Sequence, residues 1–398
     1  MNDRGQTRLH ALMIPAAVVG LVGILISLIE LFIDREQFFR SWFYAWLFFV
    51  GIALGAKGIV MLQHLVLSEW GLLVRRTGEA ASMTLPLLVV LGLPLLLGLS
   101  YLFPWARADQ AHDAVVEHRR PLFNTWAVII RSGVYFVIWI AIAWRLRVLS
   151  LRLDRNPNDR LAQSLRRLSA FGMVVYFLTM SSASVDWIMS REAHWYSSVF
   201  GFIVTMAQGL SALAFIIVIV ALLHREPPMD TAARPALLHD LGNLLLMMVV
   251  MWAYVSFAQL LVIWLGNGQQ EIPWYVHRSK GFWRFVTVLL VVFQFFTPFV
   301  LLLMQRIKRS ARALAWVAVG VLFMQWVDAL WMVEPSSVSA APHSLSWLDF
   351  VTPIGIGGIW FAGFLWWLGR APLLPVGIST AVKPFSHGPN DVKIRPVA

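Results

Sequence analysis

The sequence predicts an all-α membrane protein of ten transmembrane helices, two four-helix bundles (runs 2–5 and 6–9) with peripheral first and last helices. Three observations predict it. Apolar residues make up 59% of the 398 and charged residues only 13%, against roughly 45–50% and 25% in soluble domains. The mean hydropathy is +0.70. The apolar residues gather into ten runs, each long enough to cross a bilayer as a helix, which takes about 20 residues. An open sheet cannot replace helices there, because the hydrocarbon core offers backbone groups no water partner.

The first five runs are Ala11–Phe32, Trp42–Leu67, Met83–Phe103, Leu122–Ala143 and Ser169–Met189. The second five are Trp195–Leu223, Leu238–Leu265, Phe282–Met304, Ala313–Met332 and Leu348–Leu368. They make one integral domain over residues 1–370, followed by an irregular tail, 371–398, carrying Pro372, Pro375, Pro384 and Pro389. The first run exceeds a signal-peptide core of about 7–15 residues and reads as a retained anchor. Between the fourth and fifth runs Arg alternates with Leu, and Asn156-Pro157-Asn158-Asp159 interrupts the pattern. That predicts two basic helices extended past the membrane and joined by a turn.

Ten runs put both termini on one side. That side holds the denser basic charge: Arg75 and Arg76 after the second run, Arg145 to Arg167 after the fourth, and Arg306, Lys308, Arg309 and Arg312 after the eighth. The positive-inside rule makes it the cytoplasm. The formal net charge of +11 then belongs to helix flanks facing anionic lipid headgroups, not to nucleic-acid binding, for which no motif is present.

The fifth run ends Val185-Asp186-Trp187-Ile188-Met189, with Glu192 following; the ninth ends Val327-Asp328-Ala329-Leu330-Trp331-Met332, with Glu334 following. Four runs apart, both point the same way. A parallel repeat would leave this trace, with repeat 1 over about 42–189 and repeat 2 over about 195–332.

Ionisable groups at bilayer depth are costly and mark functional interiors. Lys57 and His64 lie two turns apart on one face of the second run, and Lys57 is expected to be buried and paired. Gly51, Gly55 and Gly58 form a small-residue stripe that invites close helix approach. Arg131 is expected to pair with Asp186 or Asp328. The proton-path candidates are Lys57, His64, Glu79, Arg131, Asp186, Asp240, Gln259, Asp328 and Asp349. They divide into a cytoplasmic cluster (His64, Lys57, Glu79, Asp240) and an outer cluster (Arg131, Asp186, Asp328, Asp349, with Glu30 near). Such clusters serve as proton half-channels or as bundle glue. Quinone-binding candidates are His64, Asp186 and Arg131, which could hydrogen-bond a quinone carbonyl.

With no cysteine, the chain alone holds no iron–sulfur cluster, thioether-linked haem or thiol nucleophile. A membrane b-type haem needs paired histidines, and only His64 lies clearly within a run. No P-loop is present. No catalytic residue and no metal site are expected.

Four stretches carry a resemblance to a known family. One runs from Trp46-Leu47-Phe48-Phe49-Val50-Gly51 through Gln63-His64-Leu65 to Arg75-Arg76. The second is Ser184-Val185-Asp186-Trp187-Ile188-Met189-Ser190 with His194-Trp195-Tyr196-Ser197. The third is His239-Asp240-Leu241-Gly242, leading to Gln259-Leu260 and Glu271-Ile272-Pro273-Trp274-Tyr275; the fourth is Gly355-Ile356-Gly357-Gly358-Ile359-Trp360. On these the chain resembles the F-type membrane subunit of alternative complex III, the bacterial quinol:cytochrome c (or cupredoxin) oxidoreductase. That subunit belongs to the superfamily of polysulfide-reductase and nitrite-reductase membrane subunits. The resemblance implies a bacterial inner-membrane protein that binds no redox cofactor and takes part in proton translocation. It implies a homologous ten-span sister subunit, and partners carrying haems c and iron–sulfur clusters, one of them molybdopterin-enzyme-like. Lys57 and the Gly268-Gln269-Gln270-Glu271 loop depart from the family pattern. Two other readings stay open: a quinone-binding anchor of a related molybdopterin/iron–sulfur oxidoreductase, and a stand-alone secondary transporter.

Overall fold

The computed structural model describes residues 3–107, 113–269, 271–336 and 345–375, with side chains from residue 11 onward. The described residues form helices, turns and loops, with no strand. Ten helices are long and apolar enough to cross a membrane, the pattern of a multi-pass membrane protein. Spans 1 to 5 are Ala11–Glu30, Arg35–Val66, Gly71–Leu97, Thr125–Arg155 and Asp159–Arg191. Spans 6 to 10 are Phe200–Leu223, Pro235–Gly266, Gly281–Leu303, Ala311–Val333 and Leu348–Leu368. Odd spans start on one face, here the near face, and end on the far face.

Span 2 is the axle of the fold and the most buried of the ten. It packs against spans 3, 5, 6, 9 and 10. Span 4 closes on spans 3 and 5, span 6 on spans 5, 7 and 9, and span 8 on spans 7 and 9. Span 1 lies outside and leans on span 10. Their crossing is made of glycine: a Cβ on Gly20 would stand 2.4 Å from the Ile359 backbone nitrogen, and one on Gly23 2.7 Å from the Gly355 Cα. Small residues let apolar helices touch backbone to backbone, where van der Waals contact replaces the missing hydrophobic drive.

The Arg-rich segment forms as expected. Span 4 runs out to Arg155, span 5 starts at Asp159, and the Asn158 side chain caps it by accepting from the Arg160 N–H at 2.8 Å. Other expectations need correction. Arg75 and Arg76 are not loop residues but sit in a helix, Gly71–Ser82, each about 1% exposed. Hydropathy alone excluded them from the span because their charges are matched inside the fold, which a window average does not register. Span 6 begins at Phe200, so Trp195 is a loop residue, buried and stacked on Trp274 with ring centres 4.1 Å apart. Of the tail, only residues 371–375 fall among those described.

Two spans are broken. Span 3 ends as a short helix, Leu85–Gly92, and a 3₁₀ turn, Leu93–Leu97, with Pro86 and Pro94 withholding N–H donors. Span 8 passes from an α-helix, Gly281–Leu289, through a π-helical stretch, Leu290–Phe296, to Thr297–Leu303. π-Helical turns are uncommon and concentrate at functional sites. Under a four-span repeat, spans 3 and 8 are not counterparts.

Candidate functional site

The site grows from the glycine stripe of span 2. A Cβ on Gly55 would meet the Gln208 carbonyl oxygen at 2.0 Å, so only glycine lets span 6 come this close. That approach seats the buried Gln208 side chain at mid-membrane. The Tyr176 hydroxyl of span 5 donates to Gln208 Oε1 at 2.7 Å. The Tyr176 ring in turn lies 5.0 Å from Lys57 Nζ, with the Trp139 ring at 5.5 Å on another side. Lys57 is fully buried, but its amine has no hydrogen-bond partner. The expectation of a paired lysine is therefore corrected: aromatic rings, not a carboxylate, stand next to the amine.

The polar groups continue in both directions. Ser211 lies one turn along span 6 from Gln208 and donates to Gln325 Oε1 of span 9 at 3.1 Å; beyond Gln325 the polar groups run toward the far face. The Gln325 amide nitrogen has no partner. Asp328 follows one turn on, buried, and accepts from Trp252 Nε1–H at 3.3 Å. A void of about 40 Å³ lies among Gln208, Ser211, Gln325 and Asp328. Toward the near face, His64 Nδ1 is 2.9 Å from the Ser169 hydroxyl, and His64 Nε2 is buried without a partner. Of this line, sequence reasoning singled out Lys57, His64 and Asp328. It missed Tyr176, Ser211 and Gln325, neutral groups that only a contact across helices distinguishes from ordinary interior residues.

At the near end Glu79 accepts from Arg75 at 3.3 Å and Arg76 at 2.6 Å, and both guanidinium groups also donate to the Ser150 hydroxyl. Arg76 further pairs with Asp154. Arg147 donates to the Trp367 carbonyl at 2.9 Å and lies over its ring. Asp240 does not join this cluster. It is exposed on the near surface, 3.9 Å from His239, because it opens span 7 rather than facing the core.

The expected outer cluster separates into independent groups. Arg131 binds Asp186 through two bonds of 2.9 and 2.7 Å, and the Tyr135 hydroxyl adds a third at 3.0 Å. Asp328 is not Arg131's partner. Asp349 accepts from Ser41 at 2.5 Å, Gln37 at 3.0 Å and the Ser346 N–H at 2.9 Å. Glu30 is buried at the end of span 1. Between these groups lies a network that the sequence did not single out. Arg40 pairs with Glu334, Arg191 donates to the Val333 and Ser336 carbonyls, and Arg278 holds Glu192 at 3.2 Å. Arg278 also donates to the Trp331 and Met332 carbonyls, which closes the end of span 9. Burial works to raise Glu192, but hydrogen bonds from His277 and Ser336 and the Arg278 charge win, so its carboxyl sits below the usual range. Burial lowers Arg278 to about 10, still charged at neutral pH. Burial raises Glu334 despite Arg40.

The matched motifs act alike. Trp187 donates to Ser132 of span 4 at 2.9 Å, and Trp331 donates to Thr287 of span 8 at 2.9 Å. The proposed quinone ligands do not meet. His64 sits beside Ser169 near the start of span 5, while Asp186 and Arg131 lie at its other end, about 25 Å away at 1.5 Å per residue. One quinone head cannot bridge that length.

Spans 7 and 8 touch near the near face and separate toward the far face. The gap is a cavity of about 740 Å³, walled by Trp252, Tyr254, Phe257, Trp274, Tyr275, Phe295, Phe296 and Trp331. Asp328 and Gln259 reach it from the core. Gln259 is itself held by the Ser197 hydroxyl at 3.1 Å. Among the described residues, no three His, Asp or Glu side chains are grouped to hold a metal ion. No protein-family model matches the chain, and no curated protein matches it.

Proposed function

We propose that the chain is a proton-conducting membrane subunit of a bacterial quinol-oxidising respiratory complex of the alternative complex III type. In this reading spans 2–5 and 6–9 are its two four-helix bundles and spans 1 and 10 a peripheral pair. The termini face the cytoplasm. A ten-span sister subunit and partners bearing haems c and iron–sulfur clusters carry the electrons. The observation that supports the reading is the buried set of Asp328, Gln325, Ser211, Gln208, Tyr176 and Lys57, with His64 two turns further along span 2 beside Ser169. It spans most of the membrane depth, and its two bundles meet at Gln208 and Tyr176.

The line has polar atoms without partners at Lys57, Gln325 and His64. Buried polar atoms that lack protein partners are where internal water binds, and water completes the hydrogen-bond chain a proton needs. Lys57 and His64 supply groups that take and release protons, and Asp328 the acid at the far end. Arg131–Asp186 and the Arg40, Arg191, Arg278 network hold the spans in place; they do not relay.

The test is proton release per electron in the complete complex reconstituted in liposomes. Gln325→Leu or Tyr176→Phe should lower it to the value that quinol oxidation alone supplies. Asp240→Asn should leave it unchanged. Wild-type ratios in both line variants would refute the reading.

A further inference from the structure

We infer that the cavity between spans 7 and 8 is a binding site for a membrane-dissolved ligand with a flat, carbonyl- or hydroxyl-bearing ring and a hydrocarbon tail, the isoprenoid-quinone class. It is distinct from the His64, Asp186 and Arg131 set, whose members lie too far apart to share a ligand.

The mouth of the cavity faces the lipid. Tyr254, Phe257, Leu260, Val291 and Phe296 line it and are exposed on the outer side of the fold, so a lipophilic molecule can slide in sideways from the bilayer. The π-helical stretch of span 8 supplies Leu290, Val291, Phe295 and Phe296 to one wall. A volume of about 740 Å³ lies within the range of about 300–1,000 Å³ of small-molecule sites. A few polar side chains reach the deep end of an otherwise apolar wall. Asp328 there is bonded among the described residues only by Trp252, at 3.3 Å, and keeps capacity for a ligand. Gln259 adds an amide, and Thr287 a hydroxyl already bonded by Trp331.

The chemistry of that end selects the occupant. A phospholipid acyl chain has no use for a buried acid and an amide. A phosphate headgroup needs free basic groups, yet the one basic residue on the wall, Arg278, is committed to Glu192, Ser336 and three carbonyls, and its guanidinium stacks on the Trp274 ring at 3.2 Å. A ring bearing carbonyl or hydroxyl groups meets Asp328 and Gln259 by hydrogen bonds, stacks on the aromatic walls and leaves its tail in the lipid-facing mouth. The inference is for binding, not for electron transfer.

The test is photolabelling of the complete complex in membranes with a benzoquinone carrying a decyl chain that ends in a diazirine. Label should fall on spans 7 and 8. Val291→Trp, which fills the mouth, should abolish it, and Asp328→Asn should weaken probe binding about tenfold. A diazirine-bearing phosphatidylcholine should fail to compete. No label on spans 7 and 8, label there unchanged by Val291→Trp, or equal competition by the phospholipid would overturn the inference. Labelling does not depend on proton movement, so it can fail while the proton pathway stands, and the converse also holds.

Discussion

Asp186 ties span 5 to span 4. Its carboxylate takes three hydrogen bonds, two from Arg131 in a forked geometry and one from Tyr135. The Arg131 side chain is 31% exposed, so solvent screens the pair, and Asp186→Asn should cost only about 1–2 kcal/mol of stability. Thermal unfolding in detergent measures it, and proton release per electron should not change. Glu192 makes the opposite kind of statement, about pH. Its folded value lies below its unfolded value. The stability it contributes is therefore complete above the unfolded value and is lost as pH falls through the folded one. Glu334 is raised by burial and shifts stability the other way, so the readout must be a difference. The melting temperature of wild type minus that of Glu192→Gln should shrink on acidification below the usual glutamate range.

At the scale of helices, glycine decides which spans can meet. Gly55→Ala puts a methyl group 2.0 Å from the Gln208 carbonyl oxygen, a contact the backbone cannot relieve by rotating a side chain. The variant should lose about 2 kcal/mol or more and should move Gln208 off Tyr176. Gly133 has nothing within 4 Å of the same added atom, and Gly133→Ala should gain about 0.5–1 kcal/mol. The pair of melting temperatures separates close packing from helix propensity. The stripe Gly51, Gly55, Gly58 was readable in the sequence as a place for another helix. Which helix it was, and that a glutamine arrives there, was not, because periodicity describes one helix and not its neighbour.

For the whole molecule, the ten runs were legible because lipid demands length and apolarity of every helix, and the Arg-rich turn because Asn158 caps where the pattern breaks. Arg75 and Arg76 were misplaced because internal pairing with Glu79 and Asp154 hides charge from hydropathy. Residues at the same depth were assumed to be neighbours; Asp240, Asp328 and Asp349 share a depth with others but face different sides of their helices. The cavity was hidden because it is made by the divergence of two helices, a property of neither sequence segment. The central claim is that hydrogen ions cross this fold beside Lys57. Proton release per electron should be measured in the complete complex carrying Lys57→Met, a change that keeps the volume and removes the amine. The account expects a fall to the value that quinol oxidation alone supplies, with the quinol oxidation rate still measurable; an unchanged ratio would contradict it.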